Sequence, residues 1–318
     1  MNSPKILYIS PEIFDYLSAT VFHGLRSLLG ENVVDGIPQF FLYKGYTGPY
    51  NWGNGFTLGA SVDNIEIDRT DIMKKIESKY FDYIIYGVVN HTGNPHLTQL
   101  NRILSIYDKS QIVFLDGADD VYSAHYLYGH GLYFKRERYV DDSNTLPISF
   151  GFPKEKIRPI SEKKTHFIAP LIPGVRSTYT YTNEQSYYDM YNSSLYALTW
   201  KKTGWDCMRH YEILGSGCMP LFVDLHHCPS TIMTPYPKEL VKQGSKLPII
   251  KLSYDSEQIF QYTDQVINNV DFSSLQLDAS SVNVEAYTEL LHKMHHYTKQ
   301  YLTTENVAKA VLDILRGN

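Results

Sequence analysis

Short apolar runs alternate with helical periodicities along most of the chain. In the first half, Ile6–Ser10, Gln39–Tyr43, Tyr83–Val89 and Ile112–Asp116 are apolar runs of strand length bounded by polar or turn-forming residues. Between the first two, Tyr16–Leu29 carries Leu17, Val21, Leu25 and Leu28 at helical spacing. The pattern breaks at Lys44–Gly59, "KGYTGPYNWGNGFTLG", which is aromatic, glycine-rich and without period, and so predicts a lid or an acceptor-binding loop. The polar stretch "FPKEKIRPISEKK", Phe152 to Lys164, predicts a linker. A second cycle follows, with strands expected at Thr165–Ala169, Leu195–Trp200, Met219–Val223 and Pro248–Leu252. The chain closes with a helix over Val284–Tyr301 and another from a Thr-Thr-Glu start at Thr303 to about Leu315.

Strand and helix in alternation predict an α/β fold with parallel sheets. The length of 318 residues suits two Rossmann-like domains, 1–155 and 156–318, with ligands at the carboxyl ends of strands facing the gap between them. A net charge of −5 disfavours the broad cationic surface of a non-specific nucleic-acid binder. The start "MNSPKILYIS" reads as a first strand rather than a signal peptide, and no run approaches the length of a membrane span. A cytoplasmic protein without a membrane partner is expected. The three cysteines, Cys207, Cys218 and Cys228, contain no C-x-x-C pair, so neither a disulfide framework nor a zinc site is predicted. Three adjacent side chains rarely converge on one ion, which argues against a metal at His226–Cys228 as well.

The most informative stretch is "KKTGWDCMRHYEILGSGCMPLF", Lys201 to Phe222. It follows a strand and should contain a turn, a helix and the next strand. Trp205, Arg209 and Glu212 then share one helix face that starts at the carboxyl end of the preceding strand. A guanidinium there can hold a diphosphate through two parallel hydrogen bonds, and a carboxylate one turn on can accept from the vicinal hydroxyls of a ribose. Gly215 or Gly217 can end the helix in a left-handed conformation. The bland alternative is a surface Arg–Glu pair worth about 0.3 kcal/mol. The surrounding strand, Lys201 and Lys202, G-x-G and the Pro-led apolar strand favour the nucleotide reading.

These residues resemble the nucleotide-sugar-binding segment of GT-B glycosyltransferases, in particular the exostosin-like group. The R-x-x-E layout is also similar to that of phage glucosyltransferases that decorate DNA bases. "VFHGLRSLLGENVVD", "FLDGADD" and "YFKRE" look similar to uncharacterised exostosin-like proteins of bacteria and viruses. The resemblance implies that Glu212 binds the donor ribose, that Arg209 contacts the donor phosphates, and that Arg176, after the first strand of the second domain, is a further phosphate contact. Lys201, Lys202 and Gly217 complete the implied donor site, because a metal-independent transferase needs fixed positive charge on the departing diphosphate. One departure stands out: the second glutamate of the larger GT-B families would fall at position 204, which is Gly204. Asp206 or the backbone amides of the Lys201–Gly204 turn would then orient the sugar.

An inverting reaction needs a base for the acceptor hydroxyl. Asp116, ending a buried strand, is the first choice; Glu12, Asp15 and His91 sit at other strand ends, and the alternative for Asp116 is turn chemistry with Gly117. "DGADD" also fits the metal-binding acidic cluster of a GT-A enzyme, but that fold would leave the second α/β cycle unexplained. "YFKRERY", Tyr133–Tyr139, is expected to be an exposed amphipathic strand. The expected function is transfer of a sugar from a nucleotide-sugar donor, UDP-linked as co-substrate and without a cofactor, to a hydroxyl of a glycan or glycolipid. The competing acceptor is a hydroxymethylated base in phage DNA, reached through a groove of Lys135, Arg136 and Arg138. A non-catalytic nucleotide-sugar or glycan binder is the third reading.

Overall fold

A computed structural model of the chain describes residues 3–50, 54–90, 97–247, 249–251, 276–278 and 282–317. The first unit is built on β1 (Ile6–Ile9), whose four residues are all buried. Helix α1 (Tyr16–Leu29) follows, opened by the Asp15 side chain accepting from the Ser18 N–H. The remaining elements of this unit's sheet are β2 (Val33–Asp35), β3 (Tyr83–Tyr86), β4 (Ile112–Asp116), β5 (Leu132–Lys135) and β6 (Leu146–Pro147). Helices α2 (Ile72–Glu77) and α3 (Leu100–Leu104) lie between β2 and β4 in the chain. The sheet order is β2-β1-β3-β4-β5-β6, with every neighbouring pair parallel. Chain order therefore reverses between β1 and β3, and a parallel sheet presents its binding loops at the carboxyl edge beside such a reversal.

Leu7, Ile84, Ile112 and Phe114 are fully buried on this sheet, each stabilising the fold by about 1.5–3 kcal/mol. Strand β3 stops at Gly87, where a Cβ would run into Ser18 Oγ and sit 2.7 Å from Tyr8 Cε1, so the backbone there lies against α1.

The second unit has a three-stranded parallel sheet in the order β7 (His166–Ile168), β8 (Ser194–Thr199), β9 (Met219–Phe222). Around it are α4 (Glu184–Asn192), α5 (Met208–Gly215), α6 (Lys238–Ser245) and α7 (Val284–Tyr301). A separate antiparallel pair joins β10 (Ile249–Lys251) to β11 (Gln276–Asp278). The last helix, α8 (Thr304–Gly317), packs on α1 and is part of the first unit. By contacts the units are 1–154 with 230–234 and 303–318, and 155–229 with 235–302.

Several expectations require correction. Gln39–Tyr43 is no strand: Phe40–Leu42 forms a short 3-10 turn. The Gln39 amide folds back onto the carbonyls of Ser10 and Ile37, and Phe40 points to solvent, so the apolar run never enters the sheet. The second strand is the three-residue β2, one 3-10 turn (Gly30–Asn32) after α1 and too short for its period to show in sequence. Leu28 is exposed despite its place in the helical pattern. Tyr133–Glu137 is buried throughout rather than amphipathic. Ile249–Lys251 pairs antiparallel, not in the parallel sheet; Pro248 and Leu252 of that expected strand, His91, and residues 51–53 of the glycine-rich loop lie outside the described residues.

Candidate functional site

The carboxyl edge of β8 leads into the turn Trp200–Cys207 and then into α5. Asp224, just after β9, fixes this turn by accepting the Lys201 N–H on both carboxylate oxygens at 2.9 and 3.2 Å. Burial raises the Asp224 carboxyl to about 6 against the opposing pull of that N–H. Lys201 turns its ammonium to the carbonyls of Lys202 and Thr203 and toward the Trp205 ring, while Lys202 is exposed. Asp206 is buried and accepts from the Tyr211 hydroxyl at 2.8 Å, which ties the turn to α5.

His210 anchors α5 from below. Its Nε2 meets the Trp205 carbonyl at 3.0 Å, and a carbonyl only accepts, so Nε2 carries the proton and Nδ1 accepts from the Thr199 hydroxyl at 3.0 Å. Burial lowers this imidazole to about 3, which keeps it neutral. Neither partner is available to a ligand, so His210 is a brace between β8 and α5.

Arg209 and Glu212 lie on α5 one turn apart, and both are buried, at 8% and 6% exposure. The surface ion-pair alternative is thereby excluded. Arg209 donates through Nη2 to the Tyr179 hydroxyl at 3.0 Å, and its Nε and Nη1 have no hydrogen-bond partner among the described residues. Each such orphaned donor costs about 1–3 kcal/mol, more on a charged group, and a protein rarely retains several in one side chain without a use for them. Glu212 Oε2 accepts from the Tyr187 hydroxyl at 2.6 Å. Burial, and then the Glu212 charge, push the Tyr187 phenol well above its ordinary value, so Tyr187 remains the donor. Tyr191 stands 5.1 Å from the Tyr187 ring and completes an aromatic wall supplied by α4.

Arg176 begins the 3-10 turn Arg176–Thr178, is exposed, and makes no side-chain hydrogen bond or ion pair with the described residues. The next residue is Tyr179, the one that receives Arg209, so the Arg176 turn is tied to α5. Gly217 takes φ +65° after α5; a Cβ there would come within 3.1 Å of Ile160 Cα, and its carbonyl accepts from the Lys164 ammonium at 2.8 Å. The described contacts of Gly217 are those of a helix terminator.

In the first unit Asp116 is fully buried. Its Oδ2 accepts from the Tyr133 hydroxyl at 2.6 Å, the Lys135 ammonium at 3.1 Å and the Asn90 amide at 3.2 Å, and Oδ1 accepts from the Ala118 N–H at 3.1 Å. The same Lys135 and Asn90 groups donate to the Tyr122 carbonyl, so this network pins the loop that follows β4. Lys135 and Arg136 are 2% and 1% exposed, and Arg138 is also largely covered. Arg136 binds Asp119, Glu137 and the Gly117 carbonyl, and Arg138 binds Asp141 and Thr145. These cations therefore form no open groove for DNA. Asp116, Asp119 and Asp120 each face a protein cation, and no cluster of three metal-ligating side chains occurs among the described residues.

Asp15, the N-cap of α1, is half-buried and lies with both carboxylate oxygens 3.1 Å from where a Gly117 Cβ would be, which places it on the carboxyl edge beside β4. Glu12 is exposed. Sequence reasoning missed Tyr179 and Tyr187. They lie on other elements than α5, and only the fold brings them to Arg209 and Glu212.

No family model matches the chain, and no curated protein matches it in sequence. Among solved structures, an alpha-glucosyltransferase in complex with UDP and a 13-mer DNA containing a central A:G mismatch is similar in fold. Its TM-score is 0.52 at 11% identity, over 99% of this chain and 100% of that one. A second alpha-glucosyltransferase complex, with UDP and a 13-mer DNA containing an HMU base, gives a TM-score of 0.49 at 8% identity over the same shares. The chain thus has a glycosyltransferase-like α/β fold with parallel sheets. No helix among the described residues is long and apolar enough to cross a membrane.

Proposed function

We propose that this protein is a nucleotide-sugar-dependent glycosyltransferase with the two-domain GT-B arrangement, acting on a hydroxyl-bearing base in DNA. The observation that carries the reading is the Arg209 guanidinium, buried with two of its three nitrogens unpartnered on the helix that also presents Glu212. Buried donors in excess of acceptors suit a diphosphate, and the Glu212 carboxylate suits a ribose. Nε and Nη1 are shielded from solvent in the free protein, so a donor has to open the site to reach them. Arg176 and Lys202, both exposed, then supply mobile positive charge for the leaving group. Lys201 and Gly217 shape the backbone on either side. No step in this reading calls for a metal.

The choice of DNA as acceptor is supported by the fold neighbour, which was solved with UDP and DNA. That likeness favours DNA over the glycan or glycolipid expected from the sequence, and the exostosin-like assignment rests on the sequence resemblance alone. For the acceptor's proton we favour Asp15 over Asp116. Asp116 is enclosed and accepts from four donors, whereas Asp15 is half-buried at the sheet edge. The test is incubation with UDP-glucose and duplex DNA, with or without hydroxymethylated bases, following UDP release and the DNA mass. The expected outcome is UDP release together with a hexose mass gain confined to hydroxymethylated DNA. Release with a glycan acceptor but not with DNA would return the acceptor to carbohydrate, and tight UDP-glucose binding without turnover would identify a binder.

A further inference from the structure

Tyr179 sits in the turn after β7 with its ring 44% exposed, yet its hydroxyl is held in place. The Oη accepts from Arg209 Nη2 at 3.0 Å and from the Gly174 N–H at 3.0 Å. A phenol oxygen has two acceptor positions and one proton. Both acceptor positions are filled, so the proton is left to donate, and no described residue receives it.

Nη2 is the corner common to both two-pronged faces of a guanidinium, flanked by Nε on one side and Nη1 on the other. Here both flanking nitrogens lack partners. Three donors without acceptors among the described residues therefore flank this contact: Arg209 Nε and Arg209 Nη1 on the two edges that share Nη2, and the Tyr179 hydroxyl beside it. Accepting from a cation also polarises the phenol and strengthens its own O–H as a donor. A group with several anionic oxygens satisfies such a set, whereas a neutral nucleoside does not.

We infer that Tyr179 belongs to the donor site, where its hydroxyl donates to a phosphate oxygen of the nucleoside diphosphate that Arg209 grips, and so selects diphosphate over nucleoside. This rests on the proposed function, and it adds a residue that neither the sequence motif nor the fold comparison points to. Tyr179→Phe keeps the ring and removes only the hydroxyl. Calorimetric titration with UDP and with uridine is the test, run on wild type, Tyr179→Phe and Glu212→Ala.

The expected result is a UDP affinity about tenfold or more weaker in Tyr179→Phe, uridine binding unchanged, and unfolding temperatures alike. If Tyr179→Phe binds UDP as wild type does while Glu212→Ala weakens it, the role of Tyr179 is overturned and the donor site stands. Equal weakening toward UDP and uridine also removes the diphosphate role. Wild type binding UDP no more tightly than uridine overturns both the inference and the reading beneath it.

Discussion

His210 and Asp116 show how burial settles what a polar side chain can do. With its folded value at about 3, below the ordinary 6.5, His210 stays neutral where an unfolded chain would take up a proton. Its contribution to stability is therefore complete above about pH 6.5 and is lost as pH falls toward 3, at about 1.4 kcal/mol per pH unit. NMR of ring-labelled protein should find His210 as the Nε2–H tautomer at pH 5; a protonated ring there would contradict the brace. Asp15 and Asp116 separate in the same way. Asp15→Asn keeps the helix cap, since Asn caps as well as Asp, and should lose turnover with the fold intact. Asp116→Asn removes the buried counter-charge of the Lys135 ammonium, leaving only the longer contact to the exposed Asp120, and should cost about 3–5 kcal/mol in urea unfolding. If Asp15→Asn turns over normally, the base lies elsewhere. The Arg209–Glu212 pair was legible in sequence because helical spacing alone puts both on one face. The run Lys135–Arg138 misled because charge in sequence reads as exposure, and nothing local announces that Asp116, Asp119 and Glu137 will enclose it.

At the scale of elements, the close approach of α1 and α8 is the most constrained contact in the first unit. A Cβ on Gly24 would run into the Thr304 carbonyl and lie 2.8 Å from Ala308 Cβ, while His23 Nδ1 meets Thr304 Oγ1 at 2.9 Å. Thr304 is held in turn by its N–H donating to the Phe152 carbonyl at 3.1 Å. Gly24→Ala raises helix propensity yet should destabilise by about 1–3 kcal/mol, because α8 must move off α1. An unchanged or higher denaturation midpoint would show that the two helices slide freely. The apolar pattern located α1, α7 and α8 within one or two residues, since long periodic segments average out local noise. It failed at β2 and at Gln39–Tyr43, where three to five residues carry no measurable period and side-chain bonds to Ser10 and Ile37 decide the backbone. That α8 packs on α1 was invisible for another reason: periodicity shows that a helix has an apolar face, not which surface covers it.

At the scale of the whole molecule, a donor nucleotide is proposed to fill hydrogen bonds that the described residues of the free protein leave unmade. Two parallel sheets and a fold likeness to an alpha-glucosyltransferase solved with UDP set the frame, and Arg209 is the proposed donor contact. An orphaned buried cation weakens the free protein, so replacing it with an apolar residue of similar length relieves a strain while removing a ligand contact. The decisive measurement is therefore UDP affinity and unfolding free energy on the same Arg209→Met protein. The account predicts a UDP affinity at least about tenfold weaker, in a protein as stable as wild type or more so. Undiminished UDP binding by Arg209→Met would contradict it.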